Sequence, residues 1–449
     1  MVAKLFVYVA LACMLVQLPG CKKEEDRNLL VSNSKITFGY EDTSKTITIS
    51  DVGSSGFTWS VNTASDLLEF SKTNGTCSKN KPDAFDIILL REKVHKDSIS
   101  ATVTITASTG ETTSISLLIL GFPEKKIRYN EQILAAAYDQ IHNRLVLLSS
   151  LNSSRILDLF DLGTEKFSHI PLAGTGDLLS VSPDGTYAVV SSDNDYRIIY
   201  VDLVQKTVIN TYNSEQYTNG IIACQDKCCY YFPYYNNSYI SKLNLSTGIY
   251  TSYNYSQYLD LSTAVLHPSG NYIYTAGYSM LTKFNITNPE PALIYANTTY
   301  NIDSKIWFSK DGTRLFTAGK KILTIDTSLP QEDITSVADV NIGQNYIFYL
   351  DHNMIHNEYY IIPTNSSYGT DYQSNQLLVL NNDLSQVRTI PLEPFHILYL
   401  YPQQSYSTVD AIGQYVFSSS DGSKIIVVSK ASDSYSNTWG IEIIDRVWK

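Results

Sequence analysis

A chain of 449 residues with 43% hydrophobic and 17% charged residues can fold, but it is too long for one ordinary core, so two domains or a repetitive domain with a smaller companion are expected. Its formal net charge of −11 opposes the phosphate neutralisation on which nucleic-acid binding depends, and that class of partner is excluded. The 34 tyrosines are the compositional feature that a functional reading must place.

The N-terminus reads "MVAKLFVYVALACMLVQLPGCKKEED", with Lys4 ahead of an apolar run from Leu5 to Leu18 and a small residue just before Cys21. The run is short for a bilayer span and its flanks are those of an export signal over residues 1–20 that is removed. The "LPGC" ending resembles a bacterial lipobox, although Pro19 stands where a small residue is usual, and the resemblance implies lipidation of Cys21. The following "KKEED" is similar to the surface-export signal of Bacteroidetes lipoproteins, so residues 21–29 are expected to be a lipidated tether. The implied location is the outer membrane, lipid-anchored and exposed at the cell surface, with the acyl chains as the membrane contact.

From residue 30 to 122 short alternating strands ("KITFGYE", "KTITISD", "FTWSVN", "DIILL", "ATVTITAST", "TTSISLLIL") are separated by turn-rich breaks, with no helical pattern between them. This spacing predicts a β-sandwich. The stretches "ITFGYEDTSKTITIS", "FTWSVN" and "LLEFSKTNGT" resemble the BACON family of immunoglobulin-like modules. Where that family has Trp-Leu before the Ser, this chain has Leu67, Leu68, Glu69 and Phe70, so a spacer is expected here rather than a sugar-binding module.

From residue 123 to 449 one pattern recurs: "YDQIHNRLVLLSS", "SPDGTYAVVSS", "CQDKCCYYFPY", "HPSGNYIYTAG", "SKDGTRLFTAG", "DHNMIHNEYYIIPT" and "SSDGSKIIVVSK". A polar turn precedes a β-rich strand, a second apolar strand follows, and the turns recur about every 42 to 45 residues except before the last. Four strands per repeat, none able to bury both faces alone, predict a seven-bladed β-propeller, giving an all-β chain of sandwich followed by propeller. The turns "SPDG" and "SKDG" resemble those of WD-repeat and YVTN-type propellers, without the Trp-Asp dipeptide. The last repeat lacks an outer strand, and "KKIRYNEQ" ahead of the first is placed to supply it, which would remove two exposed edges.

In such a ring the turns between first and second strands, and between third and fourth, emerge on one side. The turns assigned to that side ("SPDG", "QDK", "HPSG", "SKDG", "GTEK", "VQKT", "TNPEP") contain no Tyr. The other side is expected to carry Tyr196, Tyr217, Tyr234, Tyr235, Tyr258, Tyr278, Tyr300, Tyr368, Tyr372, Tyr406 and Tyr435, together with the long insertions "TNSSYGTDYQSN" and "PFHILYLYPQQSYST". Tyr supplies a flat ring and one hydroxyl, suited to stacking on sugar C–H faces or to a protein contact, and long aromatic loops on a rigid scaffold are where binding is built.

Catalytic motifs are sparse. Asp351, His352, His356 and Glu358 in "DHNMIHNE" contain a His-x3-His pair, but it lies in a hairpin turn, not on a helix, and "MIHNE" aligns with "QIHNR", making His356 and His142 the same turn residue in two repeats. No metal or cofactor is expected. In "CQDKCC" a two-residue turn would set Cys224 against Cys229 for a disulfide, a three-residue turn would set it against Cys228, and free buried thiols are the other reading. The expectation is a non-catalytic binding platform for a glycan or an outer-membrane protein partner, the catalytic alternative being a polysaccharide lyase or lactonase with acids gathered from several blades. A purely structural part of an outer-membrane complex is the third reading.

Overall fold

The structure, a computed structural model, describes residues 28–448 except 41, 54, 95–97, 122–125, 130, 152–153, 193–195, 215–216, 234–238, 257–258, 260, 262, 278–279, 301, 303–304, 330–332, 366–373, 400–404 and 433–436. The chain forms two compact units, Met1–Pro123 and Glu124–Lys449.

In the first unit two sheets enclose one core. One has the order Leu29–Val31, Ser44–Asp51, Asp83–Leu89, Leu68–Phe70; the other has Lys35–Phe38, Thr112–Leu120, Ser98–Ala107, Phe57–Thr63, Asn74–Cys77. Among the described residues only Lys35–Phe38 runs parallel to its neighbour. In "FTWSVNT" the buried residues alternate with exposed ones, so Phe57, Trp59 and Val61 point inward, as the period of a half-buried strand requires. They share an apolar cluster with Ile47, Ile49, Phe85, Ile87, Val103 and Ile119. Leu67 and Leu68 are buried in the same core, and Phe70 packs edge-on against Phe85 at 5.8 Å, so this segment is spent on packing.

Among the described residues the second unit contains seven four-stranded antiparallel sheets, lying within 132–172, 178–213, 218–254, 263–297, 306–339, 346–391 and, for the last, 411–445 joined by Ile127–Tyr129. That early strand pairs with Trp439–Asp445, Tyr129 opposite Trp439 and Ile127 opposite Ile441. In each sheet the first strand lies innermost and the fourth outermost: the fourth strands Thr207–Asn213, Ile334–Asp339 and Gln386–Pro391 are mostly exposed. Apolar clusters sit at each junction between consecutive sheets. Val146 and Leu148 meet Val190 and Val201 between the first and second, and Leu145 and Leu147 meet Ile426 and Val428 between the first and seventh. Each sheet therefore buries both faces only because it has two neighbours, and the series returns on itself.

The recurring turns repeat in atomic detail. Ser182, Ser309 and Ser419 each donate to the Asp two residues on (Oγ to Oδ1 2.6, 2.5 and 2.6 Å), and each Oγ accepts an N–H from the start of the next strand at 2.9 to 3.0 Å. Gly185, Gly312 and Gly422 take positive φ, the conformation for which glycine is favoured. In the glycine-free turns Asn143 and Asn357 take that position (φ 50° and 51°), which matches the alignment of "QIHNR" with "MIHNE".

These turns are also joined to one another. Arg144 donates to Gly185 O at 2.8 Å, Tyr187 to the carbonyls of Cys224 and Cys228, His267 Nε2 to Gly312 O at 3.1 Å, and Asn353 to Gly422 O at 3.0 Å. Lys310 N donates to His352 Nδ1 at 3.1 Å, and Gln140 donates to Ser418 O at 3.1 Å between the first and seventh sheets. One side of the unit, called here the turn side, is thus laced by hydrogen bonds between sheets. The opposite side, carrying the second-to-third-strand turns and the links from sheet to sheet, is called the link side.

One expectation needs correction. The insertion "PFHILYLYPQQSYST", read from the sequence as a loop, contains a two-stranded hairpin, Phe395–Tyr399 with Ser405–Val409. Phe395 is fully buried against the sixth and seventh sheets, and apolar, β-favouring residues flanking it give the segment a reason to pair.

Candidate binding face

Of the tyrosines expected on the link side, Tyr196 and Tyr217 are brought together. Tyr196 closes the turn between the second and third strands of the second sheet, with φ 49°, and Tyr217 directly precedes the first strand of the third, Thr218–Ala223. Their ring centroids are 4.5 Å apart, tilted by 37°, and the turn is fixed by Ser214 N donating to Tyr196 O at 2.7 Å. Tyr196 remains 39% exposed, so the pair presents aromatic surface to solvent. Tyr300 differs: it packs partly buried against the cluster between the fourth and fifth sheets. Tyr234, Tyr235, Tyr258, Tyr278, Tyr368, Tyr372 and Tyr435 lie outside the described residues, as does Cys21, and so does the side chain of Tyr406, whose backbone forms part of Ser405–Val409.

Asp351, His352 and Glu358 of "DHNMIHNE" are each engaged separately, and His356 donates its backbone N–H to Asn353 Oδ1 at 3.3 Å. Asp351 accepts from Lys310 at 2.8 Å and from Ser418 N at 2.7 Å. His352 is buried and stacks on Tyr359 at 4.5 Å, and burial lowers its pKa. Glu358 accepts both Arg446 nitrogens at 2.8 Å and Trp448 Nε1 at 3.1 Å; burial opposes ionisation there, but the Arg446 and Trp448 bonds prevail and its pKa is lowered. Among the described residues no three His, Cys, Asp or Glu side chains gather as a metal site would require.

Of the readings left open for "CQDKCC", the hairpin takes the three-residue turn. All four described cysteines are free thiols, and the turn spans Gln225 to Lys227, so Ala223 pairs with Cys229 and Cys224 N donates to Cys228 O at 2.9 Å. Neighbouring register positions point to opposite faces of a sheet: Cys229 enters the cluster shared with the second sheet, Cys224 that shared with the fourth. Cys224 and Cys228 share a face. A hydrogen bond between their sulfurs holds the Cys224 thiol well above its ordinary pKa and lowers that of Cys228.

A second group on the link side has no counterpart in the sequence reading. Backbone bonds from Ala318 N to Lys305 O and from Ile347 N to Ala318 O, both 3.0 Å, draw together the start of the fifth sheet's first strand, Ile306–Phe308, and the sixth's, Tyr346–Asn353. Lys305 Nζ stands 4.7 Å over the Phe348 ring, and Lys320 Nζ 5.3 Å over Tyr346 while donating to Gly343 O at 3.0 Å. Trp307 meets Tyr349 edge-on at 6.1 Å, and Tyr349 meets Tyr415 of the seventh sheet at 5.2 Å. Burial raises the hydroxyl pKa of Tyr349, and pushes that of Tyr415 up to about 12. Both hydroxyls therefore stay protonated at neutral pH. The group joins aromatic faces with ammonium charge, a composition for binding.

No family model matches the chain, and no curated protein does. Among solved structures it is similar to the β-propeller domain of Myceliophteria thermophila Cps50 (Swd1), at 11% identity over 71% of this chain and 97% of that one, with a TM-score of 0.50. It is also similar to a chain of a mitotic checkpoint complex, at 11% identity over 71% of this chain and 91% of that one, again with a TM-score of 0.50. Likeness at this identity shows the fold alone: the chain is all-β and β-propeller-like.

Proposed function

We propose that this chain is a surface-exposed lipoprotein acting as a non-catalytic binding platform for a glycan or a partner protein, accessory to nutrient uptake. In this reading Cys21 carries the lipid, an N-terminal β-sandwich is the spacer, and a seven-bladed propeller presents the link side. The observation that carries the reading is the Tyr196–Tyr217 pair, two rings 4.5 Å apart on the link side with Tyr196 open to solvent. The contrast between the two sides supports it, since the turn side commits its polar groups to bonds between sheets. Rigid aromatic rings contribute contact area at low entropic cost, which suits either ligand class.

The full chain in detergent, applied to a glycan array and to outer-membrane protein fractions, is expected to bind saturably. Tyr196→Ala with Tyr217→Ala is expected to weaken that binding by about tenfold or more, the loss of one to two stacking contacts of ~1–1.5 kcal/mol each. The thermal midpoint should stay nearly unchanged, because neither ring is a core residue. Undiminished binding by the double variant refutes the placement. Release of a Cys21→Ser variant from the membrane fraction tests the anchor, and its retention there counts against it.

A further inference from the structure

We infer that Lys305, standing over the Phe348 ring and next to the inner strands that carry Trp307 and Tyr346, forms a subsite for the carboxylate of an acidic sugar residue in a glycan. The inference rests on the platform reading and gives its ligand a chemical class.

The first ground is that the ammonium of Lys305 lacks a counter-ion among the described residues. The other lysines that reach inward are paired: Lys283 with Asp333 at 2.8 Å, Lys310 with Asp351 at 2.8 Å, and Lys126 with Glu442 at 3.5 Å. Lys305 has the Phe348 ring and no described carboxylate. The second ground is its setting. Lys305 is exposed, yet protein around its ammonium removes enough water to lower its pKa. The ammonium stands 4.7 Å over the Phe348 ring, which shields one side of it and leaves the rest of the side chain open to solvent. Such a group has already lost part of its hydration, so pairing with a carboxylate costs less than it does for a lysine on a convex surface.

The third ground is the surrounding chemistry. Phe348, Trp307 and Tyr346 are partly exposed rings at or near the starts of adjoining inner strands, and flat rings match the C–H face of a pyranose better than they match a compact phosphate. Lys320 adds a second positive charge beside Tyr346. Lys305 and Lys320 both belong to the fifth sheet, whereas the position just ahead of the first strand is Asp177 in the second sheet and Asp410 in the seventh. With a net charge of −11 over the chain and a Debye length of about 8 Å at physiological salt, attraction of an anion must come from a local group.

The test is titration calorimetry of the full chain in detergent with an oligogalacturonate and with its fully methyl-esterified form, which keeps the rings and removes the charge. The acid form is expected to bind about tenfold more tightly at low salt, with the preference shrinking to about twofold or less in Lys305→Met and partly kept in Lys305→Arg. Free galacturonic acid, run alongside, is expected to compete with the oligomer. Tyr196→Ala with Tyr217→Ala should weaken both forms in parallel, so failure of the platform reading has its own signature. Equal binding of the two forms, or an acid preference that survives Lys305→Met, overturns the subsite and leaves the platform reading standing. Binding of neither form also overturns the subsite, while a positive array result would still uphold the platform.

Discussion

Replacing Asp333 with Ala should destabilise the second unit by about 4 kcal/mol, the middle of the range for breaking a buried ion pair. Asp333 stands just ahead of the outermost strand of the fifth sheet, and it is fully buried. It accepts from Lys283 Nζ at 2.8 Å, from the Tyr295 hydroxyl at 2.9 Å and from the Tyr274 hydroxyl, all three on the fourth sheet. Without the carboxylate, Lys283 keeps an ammonium that is 1% exposed and faces, among the described residues, the ring of Tyr272 at 4.2 Å and that of Tyr274 at 5.6 Å. A cation over an aromatic ring recovers about 1–2 kcal/mol, well short of the desolvation cost. Lys283→Met should cost less, about 2 kcal/mol, because two hydroxyl donors still satisfy Asp333. The double variant Lys283→Met with Asp333→Asn removes both charges and keeps an acceptor for the tyrosines, so it should lie within about 1 kcal/mol of the parent. Urea unfolding of the four proteins, with hydrogen exchange at the fourth and fifth sheets to localise the effect, measures the cycle. A loss below about 1 kcal/mol for Asp333→Ala, or single costs that simply add in the double variant, refutes the idea of an interdependent buried charge between these sheets.

Burial lowers the pKa of His267 and His352 from 6.5, so below that value the unfolded chain binds protons that the folded chain refuses. Their contribution to stability is complete above about pH 6.5 and is lost as pH falls toward their folded values. His352→Phe keeps the stack on Tyr359 and removes the titration, so the unfolding free energy from urea titrations should fall less steeply between about pH 6.5 and 5, by up to ~1.4 kcal/mol per pH unit; an unchanged slope contradicts the neutral buried state. Cys228, partly exposed and with its pKa lowered by the Cys224 sulfur, should be the first cysteine alkylated by iodoacetamide at pH 8. Cys224 and Cys229, buried and with raised pKa, should label only on unfolding; mass spectrometry that finds either ahead of Cys228 sinks the assignment.

The repeating unit was legible because its turns have a chemistry of their own: Ser, Asp and Gly at fixed offsets announce the bonds later seen at Ser182, Ser309 and Ser419. The pairing of Ile127–Tyr129 with Trp439–Asp445 was legible too, since the last repeat visibly wants a strand. Asn244, Asn285 and Asn297, each followed two positions on by Ser or Thr, act in the same local way: each accepts a backbone N–H two residues on, at 2.7 to 2.9 Å, capping a turn. The hairpin at Cys224 was harder, because its register depends on Asp226 and Lys227 both adopting positive φ, and a lysine does not announce that conformation. Lys305 and Phe348 were beyond reach of loop inspection. They lie 43 positions apart, Lys305 just ahead of the fifth sheet's first strand and Phe348 within the sixth's, and only the packing of one sheet on the next makes them neighbours.

The strand Ile127–Tyr129 is among the first of its unit to leave a ribosome, and its partner Trp439–Asp445 is the last. During synthesis the leading segment must therefore wait, unpaired, while more than three hundred residues are added behind it. The intermediate repeats can collapse on one another as they emerge, but any product that stops before Trp439 keeps an open edge strand at each end of an incomplete arc. Such fragments offer free backbone donors and acceptors to other chains, so premature termination here is expected to yield aggregates rather than smaller working proteins.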